Sequence, residues 1–265
     1  VGFEVLNLPV SFGDETIISD IAYGAESEQK LDIYLPNDAG PTQHDVVVFF
    51  YGGRWTNGAK EDYRFVGMAL AEQGFVVVIP NYRKYPQVHF PVFVQDGAKA
   101  LAWVYDNIND YHGAQGRINV AGHSAGALIG ALLAADERYL SGEHKNRTDI
   151  IHSFVGLAGP YDFTPDEPDL KDMFGPPENY PQMQATTFID GKQPPMLLLY
   201  GAKDTTVKPY NLENLLQRIK DKGGYVRSII YPDIDHIDII VALSWLGSSH
   251  APVIEDMVEF FNSTK

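Results

Sequence analysis

The sequence has no cysteine. That excludes disulfides, thiolate metal sites and a cysteine nucleophile, and it leaves the compartment open. It also has no apolar run near the roughly 18 residues that a membrane span requires. Basic residues are scarce: 20 Lys and Arg stand against 35 Asp and Glu, a net charge of −15. An excess of that sign repels phosphate backbones and anionic lipid surfaces, so nucleic acid is not an expected partner. The acids are scattered rather than blocked, so they specify no cationic ligand. Internal repeats and low-complexity segments are missing as well. The sequence begins on Val1 rather than Met. A removed leader is compatible with that start, so cytoplasmic and exported locations both stay open.

What is present is enough for a large core. The chain has 265 residues, 45% of them hydrophobic, which argues against disorder and for one α/β domain over 1–265. Val46 to Phe50 (VVVFF), Phe75 to Ile79 (FVVVI), Ser153 to Ala158 (SFVGLA) and Met196 to Tyr200 (MLLLY) are short, continuous and apolar. Runs of that kind mark strands buried on both faces. Lys30 to Leu35 alternates instead, as an antiparallel strand with one wetter face does. Between the runs lie helical patterns at about Ala59–Gln73, behind Pro91, and around Leu212–Ile219, with Val226–Tyr231 as a last strand and Pro252–Phe261 as a final helix. Strand and helix alternating from Val46 onward predicts a mostly parallel sheet with helices on both faces. Tyr161 to Pro195 is irregular and proline-rich, a length that suggests a lid-like insertion.

The chemistry centres on Arg117–Ala135, RINVAGHSAGALIGALLAA. Gly122-His123-Ser124-Ala125-Gly126 fits G-x-S-x-G, with an apolar strand before it and a small-residue helix after it. That context lifts a serine hydroxyl above a sheet edge and points helix N–H groups at the same spot. A tight turn with an idle serine is the bland alternative. Chain order tests it, because a serine of this type needs an acid and then a histidine downstream. Of eight histidines, His44, His89, His112, His123, His144 and His152 fail that order or leave no room for the acid. His236 follows the last core strand in Asp233-Ile234-Asp235-His236 and is preferred over His250. Asp204 follows MLLLY directly and would hold the imidazole tautomer, against the alternative of a helix cap. Backbone donors for a developing oxyanion are expected at Ala125 and in Gly52-Gly53-Arg54, after the first buried strand. Gly52, Trp55, Phe90, Tyr161 and Phe174 are candidates for a substrate pocket, although core packing is the commoner use of such aromatics. No metal-ligand spacing accompanies the Asp/His cluster.

Tyr51-Gly52-Gly53-Arg54-Trp55 after VVVFF, Asn81-Tyr82-Arg83-Lys84-Tyr85-Pro86, Asp96, GHSAG, GAKD and Asp235-His236 together resemble the α/β-hydrolase esterases. The likeness is to the branch holding hormone-sensitive-lipase-type esterases, kynurenine formamidases and BD-FAE feruloyl-esterase-like carboxylesterases. It implies an α/β-hydrolase fold with Ser124 as nucleophile, Asp204 as acid and His236 as base. Gly53, Arg54 and Ala125 would form the oxyanion hole, and Asp96 would be structural. Two departures stand out: Tyr51 where the family loop begins with His, and Arg54 where a third Gly is usual. A non-glycine residue there restricts φ.

The expected activity is a serine carboxylesterase acting on short-chain or aromatic esters. It would need no cofactor and take a small-molecule ester as its partner, with monomer and homodimer both open. Arylformamidase with the same triad is one alternative. A catalytically inactive ligand-binding module on the same fold is another.

Overall fold

The computed structural model describes residues 2–11, 16–37 and 40–264. Residues 1, 12–15, 38, 39 and 265 lie outside them. Among the described residues eight strands form one sheet: β1 (Thr16–Ala22), β2 (Lys30–Leu35), β3 (His44–Phe50), β4 (Val76–Pro80), β5 (Gly113–His123), β6 (Ile151–Leu157), β7 (Met196–Gly201) and β8 (Val226–Tyr231). Their order across the sheet is β1-β2-β4-β3-β5-β6-β7-β8. β2 runs antiparallel to both β1 and β4. Every other neighbouring pair is parallel.

The central strands are the continuous apolar runs. Val46–Phe50 of β3, all of β4 and all of β7 are buried, which requires cover on both faces of the sheet. Helices at Arg64–Glu72, Val92–Asn107, Ala125–Ala135, Tyr210–Asp221 and Val253–Ser263 provide it. β1 is different: its residues are exposed or half-buried throughout, as an edge strand's are.

The topology decides where a ligand can sit. β3 and β5 are neighbours. From β3 the chain leaves to one side, toward β4, and from β5 to the other, toward β6. A crevice therefore opens at their carboxyl ends, the switch point of an open α/β sheet. The Gly52-Gly53 loop leaves β3 there and Ser124 leaves β5 there.

The Tyr161–Pro195 segment is more ordered than its composition suggests. It holds a helix at Pro168–Phe174, with proline in its first turn, and two 3-10 stretches at Pro177–Met183 and Ala185–Phe188. Leu170, Met173, Phe174, Met183 and Ala185 are buried in the main core. Among the described residues no helix is long and apolar enough to cross a membrane.

Candidate active site

Ser124 stands at φ 56°, ψ −120°, between the last residue of β5 and the first of the Ala125–Ala135 helix. A side chain seldom adopts that backbone conformation, and the surroundings must impose it. Here they do. Ser124 N–H donates to Leu157 O (2.9 Å), while Ala127 and Leu128 N–H donate to Ser124 O (2.9 and 3.3 Å) and start the helix. The two motif glycines let the backbones close up. A Cβ on Gly126 would lie 2.0 Å from Phe50 O, and one on Gly122 would lie 2.4 Å from Gly126 O.

Three residues far apart in sequence meet above this turn. His236 Nε2 lies 2.8 Å from Ser124 Oγ, and His236 Nδ1 lies 2.7 Å from Asp204 Oδ2. Asp204 is fixed from behind, because its Oδ1 accepts from the N–H groups of Thr206 (2.8 Å) and Val207 (2.9 Å). It thus caps its own turn with one oxygen and holds the imidazole with the other. The loop carrying His236 is braced by Asp235, whose Oδ1 accepts from Ile237 and Asp238 N–H (3.0 and 2.9 Å). Asp235 N–H in turn donates to Asp238 Oδ2 at 2.9 Å. Neither carboxylate pairs with the His236 ring, so both act as scaffold for the loop. The geometry suits a serine hydroxyl whose proton can pass to an oriented imidazole. His250 is exposed, in the turn before the last helix.

His123 is a site residue that the motif analysis passed over. It is buried, and its Nε2–H donates to the backbone oxygen of His236 at 2.9 Å. The two rings lie 5.0 Å apart. Burial first, and then the neighbouring His236 charge, push the His123 pKa down to about 3. With the proton on Nε2, it is a neutral clamp on the His236 backbone. The unfolded chain has an ordinary imidazole with a pKa of ~6.5, so between there and about 3 the unfolded state binds one more proton than the folded state. Stability tied to His123 is therefore complete above that window and is lost as pH falls through it. We expect His123→Gln, which keeps an N–H donor, to flatten the fall of melting temperature between pH 6.5 and pH 4. Thermal melts of the two proteins across that range measure it; equal slopes would remove His123 from the account.

The loop after β3 faces the serine. Gly53 has φ 124°, and Arg54 and Trp55 follow at φ 60° and 59°. The left-handed conformation that glycine would favour is thus taken by Arg54 and Trp55 at some cost in strain. A Cβ on Gly53 would lie 2.2 Å from Asn57 O, and one on Gly52 would lie 3.1 Å from Ser124 Cβ. The N–H groups of Gly53, Arg54 and Ala125 make no backbone hydrogen bond with another described residue, so they are available to an anion. Arg54 turns its side chain outward, to Glu167 and Asp169, both at 2.8 Å. Those pairs are exposed and screened, so their effect is chiefly to tie this loop to the Pro168–Phe174 helix. Tyr51, the departure at the start of the loop, is buried between the rings of Tyr63 and Tyr82. Its hydroxyl donates to Asn81 Oδ1, and its backbone oxygen accepts from Tyr82 OH, each at 2.8 Å. Asp96 is buried and accepts from Gln29 and from the backbone and side chain of Arg83, which pins the loop after β4.

Two clefts meet at Ser124. One, of about 370 Å³, is lined by Trp55, Ala125, Phe163, Leu170, Val207 and Tyr210, among others. The second, of about 510 Å³, has His236, Phe3, Tyr63 and Ile237 in its walls. Arg54, Ser124 and Thr206 belong to both. Of the pocket candidates, Trp55 lines the first cleft, and Gly52 lies against Ser124 beneath it. The other three sit elsewhere. Phe174 is buried behind Trp55, in edge contact with its ring at 4.9 Å. Tyr161 is buried under β6, its ring occupying the space that glycines leave at 156 and 159. Phe90 lines a separate cavity of about 390 Å³, whose walls do not include Ser124. Aromatic side chains near a site are used mostly as core: Phe174 and Tyr161 follow that use, while Phe90 is half-buried against the core and shares its cavity wall with Phe174.

The BD-FAE family model matches residues 31–219. Isoprenylcysteine alpha-carbonyl methylesterase ICME of Arabidopsis thaliana is 28% identical over 255 residues, 87% of this chain and 58% of that protein. Esterase LipQ of Mycobacterium tuberculosis is 29% identical over 225 residues, 78% of this chain and 53% of that protein. The chain thus spans little more than half the length of these relatives. Among solved structures, a truncated carbohydrate esterase from gut microbiota superposes with a TM-score of 0.81 at 21% identity, covering 94% of this chain and 96% of that one. That likeness establishes the α/β-hydrolase fold.

Proposed function

This chain belongs to the BD-FAE family, and on that premise we propose that it is a serine carboxylic ester hydrolase. The observation that carries the proposal is the unbroken line from Asp204 Oδ2 through His236 to Ser124 Oγ, at 2.7 and 2.8 Å. His236 Nε2 takes the Ser124 hydroxyl proton as Oγ attacks the ester carbonyl carbon. The carbonyl oxygen becomes an oxyanion held by the N–H groups of Gly53, Arg54 and Ala125. The intermediate collapses as His236 gives its proton to the departing alcohol oxygen, leaving the acyl group on Oγ. Water, deprotonated by the same nitrogen, attacks the acyl carbon, and the carboxylic acid leaves as Ser124 regains its proton.

The cleft of about 370 Å³ beside Ala125 is the acyl pocket. It lies at the small end of the range for ligand sites. Trp55, Phe163 and Tyr210 give it flat aromatic walls, beside the charged Asp166, Glu167 and Lys208. Short and aromatic acyl groups fit that description better than long chains. A series of p-nitrophenyl esters from acetate to decanoate tests this, and kcat/KM should peak at six carbons or fewer. A maximum at decanoate would overturn the assignment of the pocket. No turnover of any ester would move the reading to N-formylkynurenine, which the same three residues could hydrolyse.

A further inference from the structure

The second cleft carries a statement about the alcohol half of the substrate. His236 is in its wall and is not in the wall of the first. The nitrogen that accepts the Ser124 proton must hand it to the departing oxygen, so the departing group has to lie on the His236 side. We infer that the cleft of about 510 Å³ is the leaving-group subsite, and that Phe3 and Ile237 make it select esters of uncharged apolar or aromatic alcohols. The inference rests on the serine-esterase reading and extends it to the leaving group.

Both side chains are unusual in their exposure. Phe3 is 39% and Ile237 57% exposed, although each is large and apolar. A single such residue on a surface means little. Two of them, from opposite ends of the chain, line one cleft beside a serine held in a strained turn. Phe3 is also held in place. Its ring lies 5.1 Å from that of Tyr63, which lines the same cleft. Asn7, just after the short helix carrying Phe3, donates to Asp62 O at 2.9 Å and accepts from Phe65 N–H at 2.8 Å. Trp245 donates to Val5 O at 3.1 Å. A flat or branched apolar group in the cleft would remove Phe3 and Ile237 from water and find rings to pack against. Asp62 and Arg54 both stand in the lining, and Arg54 is already paired with Glu167 and Asp169.

The test compares ethyl acetate with 2-phenylethyl acetate. The acyl group is the same and both alcohols are primary, so the ratio of kcat/KM values isolates recognition of the alcohol. We expect the wild-type protein to favour 2-phenylethyl acetate by about tenfold or more, the size of a hydrophobic pocket contact. Phe3→Ala and Ile237→Ala should each bring that ratio down several-fold. Leu246→Ala, which removes an exposed apolar side chain outside the cleft lining, should leave the ratio where it is. The assignment is overturned by a wild-type ratio near one, by an unchanged ratio in both cleft variants, or by an equal fall in Leu246→Ala. It is also overturned if Phe3→Ala shifts the acyl-chain profile, because Phe3 would then belong to the acyl side. Failure of the underlying reading looks different: neither acetate is turned over, or turnover survives Ser124→Ala, and the subsite falls with it.

Discussion

Ser124→Ala is expected to lower kcat/KM for p-nitrophenyl acetate by at least ~10⁴-fold, while the protein keeps its fold and its melting temperature. The loss follows from chemistry: without Oγ no acyl-enzyme forms, and what is left is water attack helped by the oxyanion donors and substrate binding. The retained fold follows from the backbone. Alanine has the same Cβ as serine, so φ 56°, ψ −120° costs it no more. The bonds that impose this conformation, to Leu157 O and from Ala127 and Leu128, are main-chain bonds and survive. Among the described residues the side-chain bond lost is to His236 Nε2, and a bond of that kind contributes about 1 kcal/mol. Steady-state kinetics with a calorimetric melt measures both halves. Activity within tenfold of wild type would remove Ser124 as nucleophile. Lost activity with a collapsed melting temperature would show that the serine is structural.

The central strands β3, β4 and β7 were legible because burial on both faces writes itself as an uninterrupted apolar run. VVVFF and MLLLY became β3 and β7, and FVVVI became β4 less its first residue, in a central position where no face needs polar residues. β1 was not singled out because it carries no apolar run; no residue of Thr16–Ala22 is buried. The Pro168–Phe174 helix was hidden for another reason. It has seven residues, too few for a helical period to show, in a stretch that proline dominates. The elbow was legible from local needs, since close approach of backbones at Gly122 and Gly126 excludes any side chain.

The candidate acid and base could be chosen by chain order, since order is itself a sequence property. Contacts between distant segments could not. Nothing near His123 announces that its Nε2–H holds the backbone of His236, 113 positions away. Phe3 and Ile237 share a cleft for the same reason, through folding rather than any motif. Arg54, a departure from the usual glycine, adopts φ 60° all the same, with its guanidinium tied to Glu167 and Asp169. The aromatics kept both readings, core and pocket, because nothing in a sequence separates a phenylalanine that lines a pocket from one that supports it. Phe174 does the second, behind Trp55.

Asp204→Asn separates positioning from presence. In the wild-type protein Oδ1 accepts from two N–H groups, of Thr206 and Val207, and Oδ2 faces His236 Nδ1. An asparagine has one acceptor oxygen and one donor amide. The two backbone donors claim the oxygen, so the amide NH₂ is left facing Nδ1. Nδ1 must then accept, the imidazole proton moves to Nε2, and Nε2 can no longer take a proton from Ser124. The variant keeps its shape and most of its hydrogen bonds but carries the wrong tautomer. We expect kcat to fall by ~10⁴-fold, the size seen where an asparagine has replaced a triad aspartate elsewhere, with substrate binding little changed. Asp204→Ala, which frees the imidazole to choose its tautomer, should lose its activity differently: it leaves the Thr206 and Val207 N–H groups unpaired and lowers the melting temperature, a cost the asparagine avoids. Paired measurements of kcat and thermal stability on the two variants decide the matter. If Asp204→Asn loses less than tenfold in kcat, Asp204 is a turn cap that happens to touch His236, and the acid must be sought elsewhere.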